Sequence, residues 1–309
     1  MNDVHETRAV SQGKATAMLI LTTVMWGGSF LFTKIGMREI PPLQFYFFRF
    51  ALAAFLMGVI CIPRLTRLNR DTVRRGALVG LALASANLMF VLGVSGTTIS
   101  RAGYLNNLFV LFVPLLSFLF WRERLDRITA GGIAVALVGL WFLASGGAEG
   151  FNRGDLLSTI CAVFIAGQII AVSRVLRDDD VYLVTFVQFA TVALVGALVT
   201  MVMPWPPFTM GASGAWSLVY CAIFPTIICF TLQNAFQRYT TPTRAGLIYT
   251  LDPIWSMLAG VFILGERLTP QELAGCMLIL LAVAGPLALR LYLEQRRRRL
   301  YRLDDAGQV

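Results

Sequence analysis

Two charged residues lie deep inside long apolar segments of the sequence. Asp252 is nine residues into the apolar segment 243–264, and Arg49 is seven residues into the segment 42–62. An ionisable side chain in such surroundings is costly and is a functional candidate by default. The Asp252 carboxylate suits an amine or a proton, and the planar Arg49 guanidinium suits a carboxylate. The alternative is a structural role. The two residues pair with each other or with backbone carbonyls, or the aliphatic part of Arg49 stays among apolar groups while its guanidinium reaches water.

Uncharged polar and aromatic residues recur along the apolar segments at helical spacing. Trp26 and Ser29 share one helix face, and so do Tyr249 and Asp252. A polar stripe on an apolar helix faces a partner helix or a water-filled cavity rather than lipid. We therefore predict a cavity that binds a small molecule; interhelical hydrogen bonding with no bound molecule is the alternative. The predicted lining residues are Trp26, Ser29, Arg49, Asn106, Asn107, Gln168, Gln188, Gln233, Tyr249 and Asp252.

The composition of the whole chain requires a membrane to surround these residues. Of its 309 residues, 57% are hydrophobic and only 14% are charged, whereas a soluble domain has about 25% charged residues. The mean hydropathy is +0.71. A membrane-spanning helix needs about 20 mostly apolar residues, and the loops between such segments are too short for a soluble domain. The sequence predicts an all-α membrane protein with ten transmembrane helices over 16–36, 42–62, 76–95, 99–120, 128–145, 155–175, 182–203, 214–236, 243–264 and 270–290.

The basic residues predict how these helices are oriented. With a cytoplasmic N-terminus, 20 of the 26 Lys and Arg lie on the cytoplasmic side and five on the other, and Arg49 lies within a span. Because cytoplasmic loops are enriched in Lys and Arg, both the N-terminal tail (1–15) and the basic C-terminal tail (291–309) are predicted to be cytoplasmic. The same distribution accounts for the net charge of +9 without a nucleic-acid partner.

The two halves of the sequence resemble each other. Residues 47–51 align with 186–190 at an offset of 139, and 101–103 align with 244–246 at an offset of 143. The second offset also places Glu123-Arg124-Leu125 on Glu266-Arg267-Leu268, two copies that we interpret as loop ion pairs or helix caps. The predicted repeats are 16–145 and 155–290, and the odd number of five helices in each inverts the second copy. Inverted repeats are a recurring architecture of secondary transporters, whose substrate site lies near the membrane midplane.

Other classes of protein lack the residues that they would need. The single histidine, His5, lies in the N-terminal tail, and the five cysteines have no metal-ligand spacing. No nucleotide-binding P-loop is present, and Asp252 has no second carboxylate at membrane depth with which to form a catalytic dyad. We therefore predict no metal, no cofactor and no enzymatic activity, with an intramembrane enzyme as the alternative from a different class. A channel remains an alternative.

Several of the motifs are those of one transporter family. The sequence carries Trp26-Gly27-Gly28-Ser29-Phe30, Arg49-Phe50, Thr-Pro-Thr-Arg-Ala-Gly at 241–246, Leu-Asp-Pro at 251–253 and Leu-Gly-Glu-Arg-Leu-Thr at 264–269. Over about 16–290 it resembles the EamA-type members of the drug/metabolite transporter superfamily. It departs from their pattern in two places: Asp252 stands where Glu is common before the proline, and Trp121-Arg122 stands where Leu-Gly is usual.

The resemblance implies a ten-helix bundle in the cell inner membrane, with helices 1–4 of each repeat around a central cavity. It also implies export of small metabolites, with amino acids as the best-known cargo and drugs or other hydrophobic compounds as the alternative. The expected partners are the small-molecule substrate, membrane lipid, and a coupling proton or an exchanged solute.

Overall fold

The computed structural model of the chain describes residues 12–97, 99–144, 152–176, 179–203 and 206–255, together with scattered helical residues between 258 and 293. Every regular element within these ranges is helical, and none is a strand. The α-helices are α1 Gln12–Gly36, α2 Pro42–Cys61, α3 Arg70–Gly96, α4 Ile99–Asn107, α5 Phe109–Trp121, α6 Arg127–Ala144, α7 Arg153–Val175, α8 Val181–Val202, α9 Ala212–Ala222, α10 Cys229–Phe236 and α11 Pro242–Tyr249. A π-helical stretch, Ile223–Ile228, joins α9 to α10, and 3-10 turns follow α2 and α10.

Six of the helical stretches are long and apolar enough to cross a membrane. They are Gln12–Gly36, Pro42–Arg67, Arg70–Gly96, Arg153–Val175, Val181–Val202 and Ala212–Tyr239. Shorter apolar helices occupy Leu105–Trp121, Arg127–Phe142 and Leu273–Pro286. The prediction of an all-α membrane protein is confirmed, whereas the count of ten spanning helices stays a prediction.

Polar side chains fix where several of the helices begin. Asn152 Oδ1 accepts from Asp155 N (2.9 Å), and Asp155 Oδ2 accepts from Asn152 N (3.0 Å), which forms a reciprocal capping box at the start of α7. Asn69 caps α3 by accepting from Thr72 N (2.8 Å). These caps satisfy first-turn N–H groups that have no partner within their own helix.

Small residues allow the helices to pack closely, as transmembrane helices must when lipid supplies no hydrophobic driving force. The ends of α3 and α7 approach so closely that a Cβ on Gly154 would lie 2.4 Å from the carbonyl carbon of Gly96. A Cβ on Gly132 in α6 would lie 2.9 Å from Ala282 O, and a Cβ on Gly139 would lie 2.9 Å from Gly275 O. The repeat offset of 143 converts each of these last two contacts into the other. It carries position 132 to 275 and position 139 to 282, so the pair 132–282 corresponds to the pair 275–139.

Two helices are interrupted at equivalent positions of the two halves. Between α4 and α5, Leu108 N donates to Leu105 O (3.2 Å) and Leu111 N donates to Leu108 O (3.0 Å). After α11 the same two bonds recur 143 residues later, from Leu251 N to Ile248 O (3.1 Å) and from Ile254 N to Leu251 O (3.1 Å). Each interruption replaces the regular α-helical bond with a tighter three-residue turn.

Candidate functional site

A cavity with about 760 Å³ of empty space, its open mouth included, lies between the two halves of the chain. Both interrupted helices contribute to its wall, through Asn106 and Asn107 on one and Tyr249 and Asp252 on the other. Nine of the ten predicted residues line this cavity: Trp26, Ser29, Arg49, Asn106, Asn107, Gln168, Gln233, Tyr249 and Asp252. The fold therefore brings them together, and that they bind a solute stays a prediction.

The tenth predicted residue, Gln188, takes part in a different buried cluster. Its side chain is fully buried in α8, and its Oε1 accepts from Asn234 Nδ2 at 2.7 Å. The same Asn234 amide lies 3.0 Å from Thr185 Oγ1. In the part of the chain that the structure describes, Gln188 joins α8 to α10 and does not line the cavity.

Much of the cavity wall is apolar or aromatic, and the polar stripes gave no sign of it. The residues missed in this way are Phe30, Leu83, Ala86, Phe90, Phe109, Cys161, Ile165 and Ile169. One missed residue, Asn87, is polar and could have been found as an amide within an apolar helix; its Nδ2 donates to Leu83 O (3.2 Å). Apolar wall residues have the composition of every other buried position, so only the three-dimensional arrangement separates them from the core.

Asn106 presents an unused amide to the cavity. Its side chain is 2% exposed, and among the described residues neither Nδ2 nor Oδ1 has a hydrogen-bond partner. The neighbouring Asn107 differs, because its Nδ2 donates to Gly103 O (2.8 Å) and only its Oδ1 has no hydrogen-bond partner among the described residues. Buried polar groups are nearly always paired, and an exception is explained by strain, by a functional role or by a bound water or ion. A ligand that both donates and accepts would satisfy Asn106.

A chain of buried amides holds the wall behind these asparagines. Gln168 Nε2 donates to Gln233 Oε1 (3.0 Å), and Gln233 Nε2 donates to Gln237 Oε1 (2.9 Å). Tyr249 OH donates to the same Gln237 oxygen (2.9 Å), and Gln237 Nε2 donates to Ile169 O (2.6 Å). The network ties α7 to α10 and α11, so Gln168, Gln233 and Tyr249 support the shape of the cavity as well as lining it.

Trp26 and Arg49 both contact the π-helical stretch around Pro225. Because proline has no N–H, the carbonyl four residues before it loses its usual donor; here Cys221 O accepts from Thr226 Oγ1 (2.6 Å). The Thr226 hydroxyl in turn accepts from Arg49 Nε (2.8 Å), and Pro225 O accepts from Trp26 Nε1 (3.0 Å). Arg49 is therefore held through one of its nitrogens at a helix irregularity of the kind that is frequent at functional sites.

Asp252 stands at the first helical residue after the second interruption. It is the one acidic residue on the cavity wall within the described ranges. Trp26 lies nearby in the wall, with its ring centroid 5.2 Å from that of Tyr249 and 5.5 Å from that of Phe230. The site thus combines a carboxylate, a guanidinium, a free amide and an aromatic surface. The described residues contain no group of three or more His, Cys, Asp or Glu arranged to hold a metal ion.

The sequence matches the model of the EamA-like transporter family over residues 13–145 and again over 152–286. The two matches cover most of the chain. This protein belongs to the EamA-like transporter family. The resemblance of its motifs to that family is confirmed, and the protein is a membrane transporter rather than a member of an enzyme family.

Relatives of this EamA-like transporter include a protein of Archaeoglobus fulgidus called an uncharacterized transporter, which is 30% identical over 265 residues, 86% of this chain and 83% of the relative. A probable amino-acid metabolite efflux pump of Salmonella typhimurium is 25% identical over 280 residues, 85% of this chain and 91% of the relative. One crystal structure of another protein superposes with a TM-score of 0.74 at 22% identity, covering 91% of this chain and 99% of that one. That structural likeness supports the fold alone.

Proposed function

We propose that this protein is a secondary transporter that exports small organic metabolites, amino acids or similar compounds, across the cell inner membrane by alternating access. The observation that carries the proposal is the matched pair of interrupted helices at the cavity. Paired interruptions in corresponding positions of two repeats are the best structural pointer to a transporter's substrate site. One of the two interrupted helices carries Asn106, whose buried amide has no partner among the described residues.

The repeats are inverted in this proposal, and both termini lie in the cytoplasm. The inversion is supported by the α6 contacts, in which the Gly132–Ala282 and Gly139–Gly275 pairs exchange under the repeat offset. The orientation is supported by the distribution of 20 basic residues on one side and five on the other. One repeat rocks against the other and exposes the midplane cavity to one side at a time.

The wall residues divide the recognition of an amino-acid-like cargo among themselves. The Asp252 carboxylate binds the ammonium group or a coupling proton, and the outer nitrogens of the Arg49 guanidinium bind the carboxylate. Asn106 donates to and accepts from the same polar end of the cargo. The aromatic side chains of Trp26, Phe90 and Phe230 then enclose its less polar part.

The names of two relatives support amino acids as cargo. The Salmonella typhimurium protein and an Escherichia coli protein that is 24% identical over 288 residues are both called probable amino-acid metabolite efflux pumps. The second candidate function is efflux of drugs or other hydrophobic compounds, and the apolar and aromatic share of the cavity wall favours it.

Efflux from proteoliposomes tests the proposal. Vesicles that contain the purified protein are loaded with labelled amino acids and other small metabolites, and saturable release is recorded with and without a pH gradient. Release of one chemical class supports the proposal if its apparent affinity falls in Asn106→Leu and is unchanged in the control Ser85→Ala, which lies outside the cavity wall. Release of hydrophobic compounds alone favours the second candidate. No saturable release of any compound from correctly inserted protein contradicts both.

A further inference from the structure

The two repeats are joined at each membrane face by an acidic residue of a short loop. At the outer face of the proposed orientation, Glu39 lies between α1 and α2. Its Oε2 accepts from Gly214 N (2.7 Å) and from Gly211 N (3.0 Å), at the start of α9 in the other repeat. The first repeat therefore caps a helix of the second, since Gly211 has no side chain with which to cap α9 itself.

At the cytoplasmic face the second repeat contacts the first through Asp179, between α7 and α8. Its Oδ2 lies 3.1 Å from Arg75 Nη1, and its Oδ1 accepts from Thr72 Oγ1 at 3.5 Å. The Asp179 side chain is 7% exposed, so this ion pair is shielded from water on one side. The adjacent Asp180 lies 3.7 Å from Arg64 Nε and so extends the same contact.

The two contacts occupy equivalent places in the inverted repeats. The offset of 139 carries Asp179 to position 40, next to Glu39. Their targets also correspond: Thr72 is the third residue of α3, and Gly214 is the third residue of α9. In both cases an acidic loop of one repeat contacts the first turn of a helix in the other, and the two contacts lie at opposite faces.

The chemistry of the two contacts differs in a way that allows each to be disrupted separately. Glu39 meets backbone N–H groups at a helix N-terminus, where the helix dipole favours a negative charge. A Cβ on Gly214 would lie 2.4 Å from Glu39 Oε2, so the contact also requires a glycine. Asp179 instead meets a guanidinium and a hydroxyl, and needs no special backbone.

We propose that Glu39 and Asp179 are reciprocal gate residues. Each holds the repeats together at its own face, and each releases when that face opens during the transport cycle. Both contacts are made in this structure. The inference rests on the proposed alternating access, and it concerns the closure of the faces rather than the binding of cargo.

The test is a labelling measurement that needs no knowledge of the cargo. Ser29→Cys adds a second thiol to the cavity wall, which already holds Cys161, and a membrane-impermeant maleimide is applied to either side of oriented vesicles. The protein lacking Ser29→Cys gives the background labelling of Cys161. Adding Glu39→Gln should raise the ratio of outer to cytoplasmic labelling rates about tenfold, which corresponds to about 1.4 kcal/mol. Adding Asp179→Asn should lower the same ratio by a similar factor.

Two further variants keep the test independent of any single substitution. Gly214→Ala displaces Glu39 without changing a charge and should shift the ratio in the same direction as Glu39→Gln. The matched glycine control is Gly13→Ala, whose Cβ would meet nothing within 4 Å. The matched acid control is Asp71→Asn, an exposed carboxylate in the first turn of α3. Neither control should move the ratio.

The outcomes distinguish the gate assignment from the alternating access on which it rests. Opposite shifts for the Glu39 and Asp179 variants support the gate assignment. Shifts in the same direction, or an unchanged ratio with labelling from both sides in the Ser29→Cys parent, overturn the gate assignment and leave alternating access intact. Labelling of the parent from one side only, under every gradient applied, contradicts the alternating access on which the inference depends.

Discussion

Replacement of Asn106 by leucine should separate the stability of the protein from its transport. The two side chains have similar size and shape, so Asn106→Leu removes the amide with little change in volume. In the wild-type protein the buried amide makes no hydrogen bond with any described residue. A buried polar group without a partner costs about 1–3 kcal/mol, and an apolar group of the same shape removes that cost. We therefore expect the cargo-free Asn106→Leu variant to be more stable than the wild type by up to about 3 kcal/mol.

Transport should change in the opposite direction. If cargo both donates to and accepts from Asn106, loss of the amide removes hydrogen bonds worth about 1.5–3 kcal/mol to a charged group, which corresponds to a fall in apparent affinity of about 10-fold to 150-fold. Asn107→Leu is the matched control, because Asn107 Nδ2 already donates to Gly103 O. That variant should lose stability and not gain it.

Two measurements on the same preparations check this prediction. Thermal unfolding in detergent, without cargo, ranks the stabilities of the wild type and the two leucine variants. Efflux from proteoliposomes loaded with several cargo concentrations gives the apparent affinities of the same three proteins. An Asn106→Leu variant that is less stable than the wild type and transports normally would refute the reasoning, because it would show that the amide is satisfied within the resting protein and is not used by cargo.

Three further substitutions test other parts of the site and fold. Asp252→Asn should abolish or greatly slow efflux of a cationic or zwitterionic cargo and remove any dependence of transport on the pH gradient. Unchanged transport with an unchanged pH dependence would contradict an acidic role. Thr226→Val should destabilise the protein by about 1–3 kcal/mol, because Arg49 Nε then loses its acceptor in a buried place, and an unchanged unfolding midpoint would count against that contact. Gly154→Ala should lower the yield or the unfolding temperature, because its Cβ would lie 2.4 Å from the carbonyl carbon of Gly96; Gly167→Ala, whose Cβ meets nothing within 4 Å, is the control and should behave as wild type.

Most of the candidate binding residues also have a structural role. Arg49 is predicted from sequence as a partner for a carboxylate, and the structure shows that one of its nitrogens is bound to Thr226. Gln168 and Gln233 line the cavity and simultaneously bond to each other. In a low-dielectric interior each polar side chain has several hydrogen-bonding atoms to satisfy, so the same residue supports the wall and leaves other atoms for cargo.

The class of the protein, its family and the approximate positions of its helices follow from the amino-acid sequence alone. Those properties depend on local composition and on motifs along one segment: an apolar run of about 20 residues is enough to predict a span. The repeat offset of 143 also pairs Asn106 with Tyr249. Both residues lie where an interrupted helix reaches the cavity, so the alignment of the two halves already locates the site along the chain.

Which atoms meet across the bundle is a property of the tertiary structure. The fold places Gln188 against Asn234 rather than in the cavity wall, and it surrounds the polar residues with aromatic side chains from several helices. It also brings Glu39 to the first turn of a helix 172 positions further along the chain. Such contacts depend on the relative placement of helices, which the periodicity of one segment does not encode, and on backbone N–H groups, which every residue except proline shares.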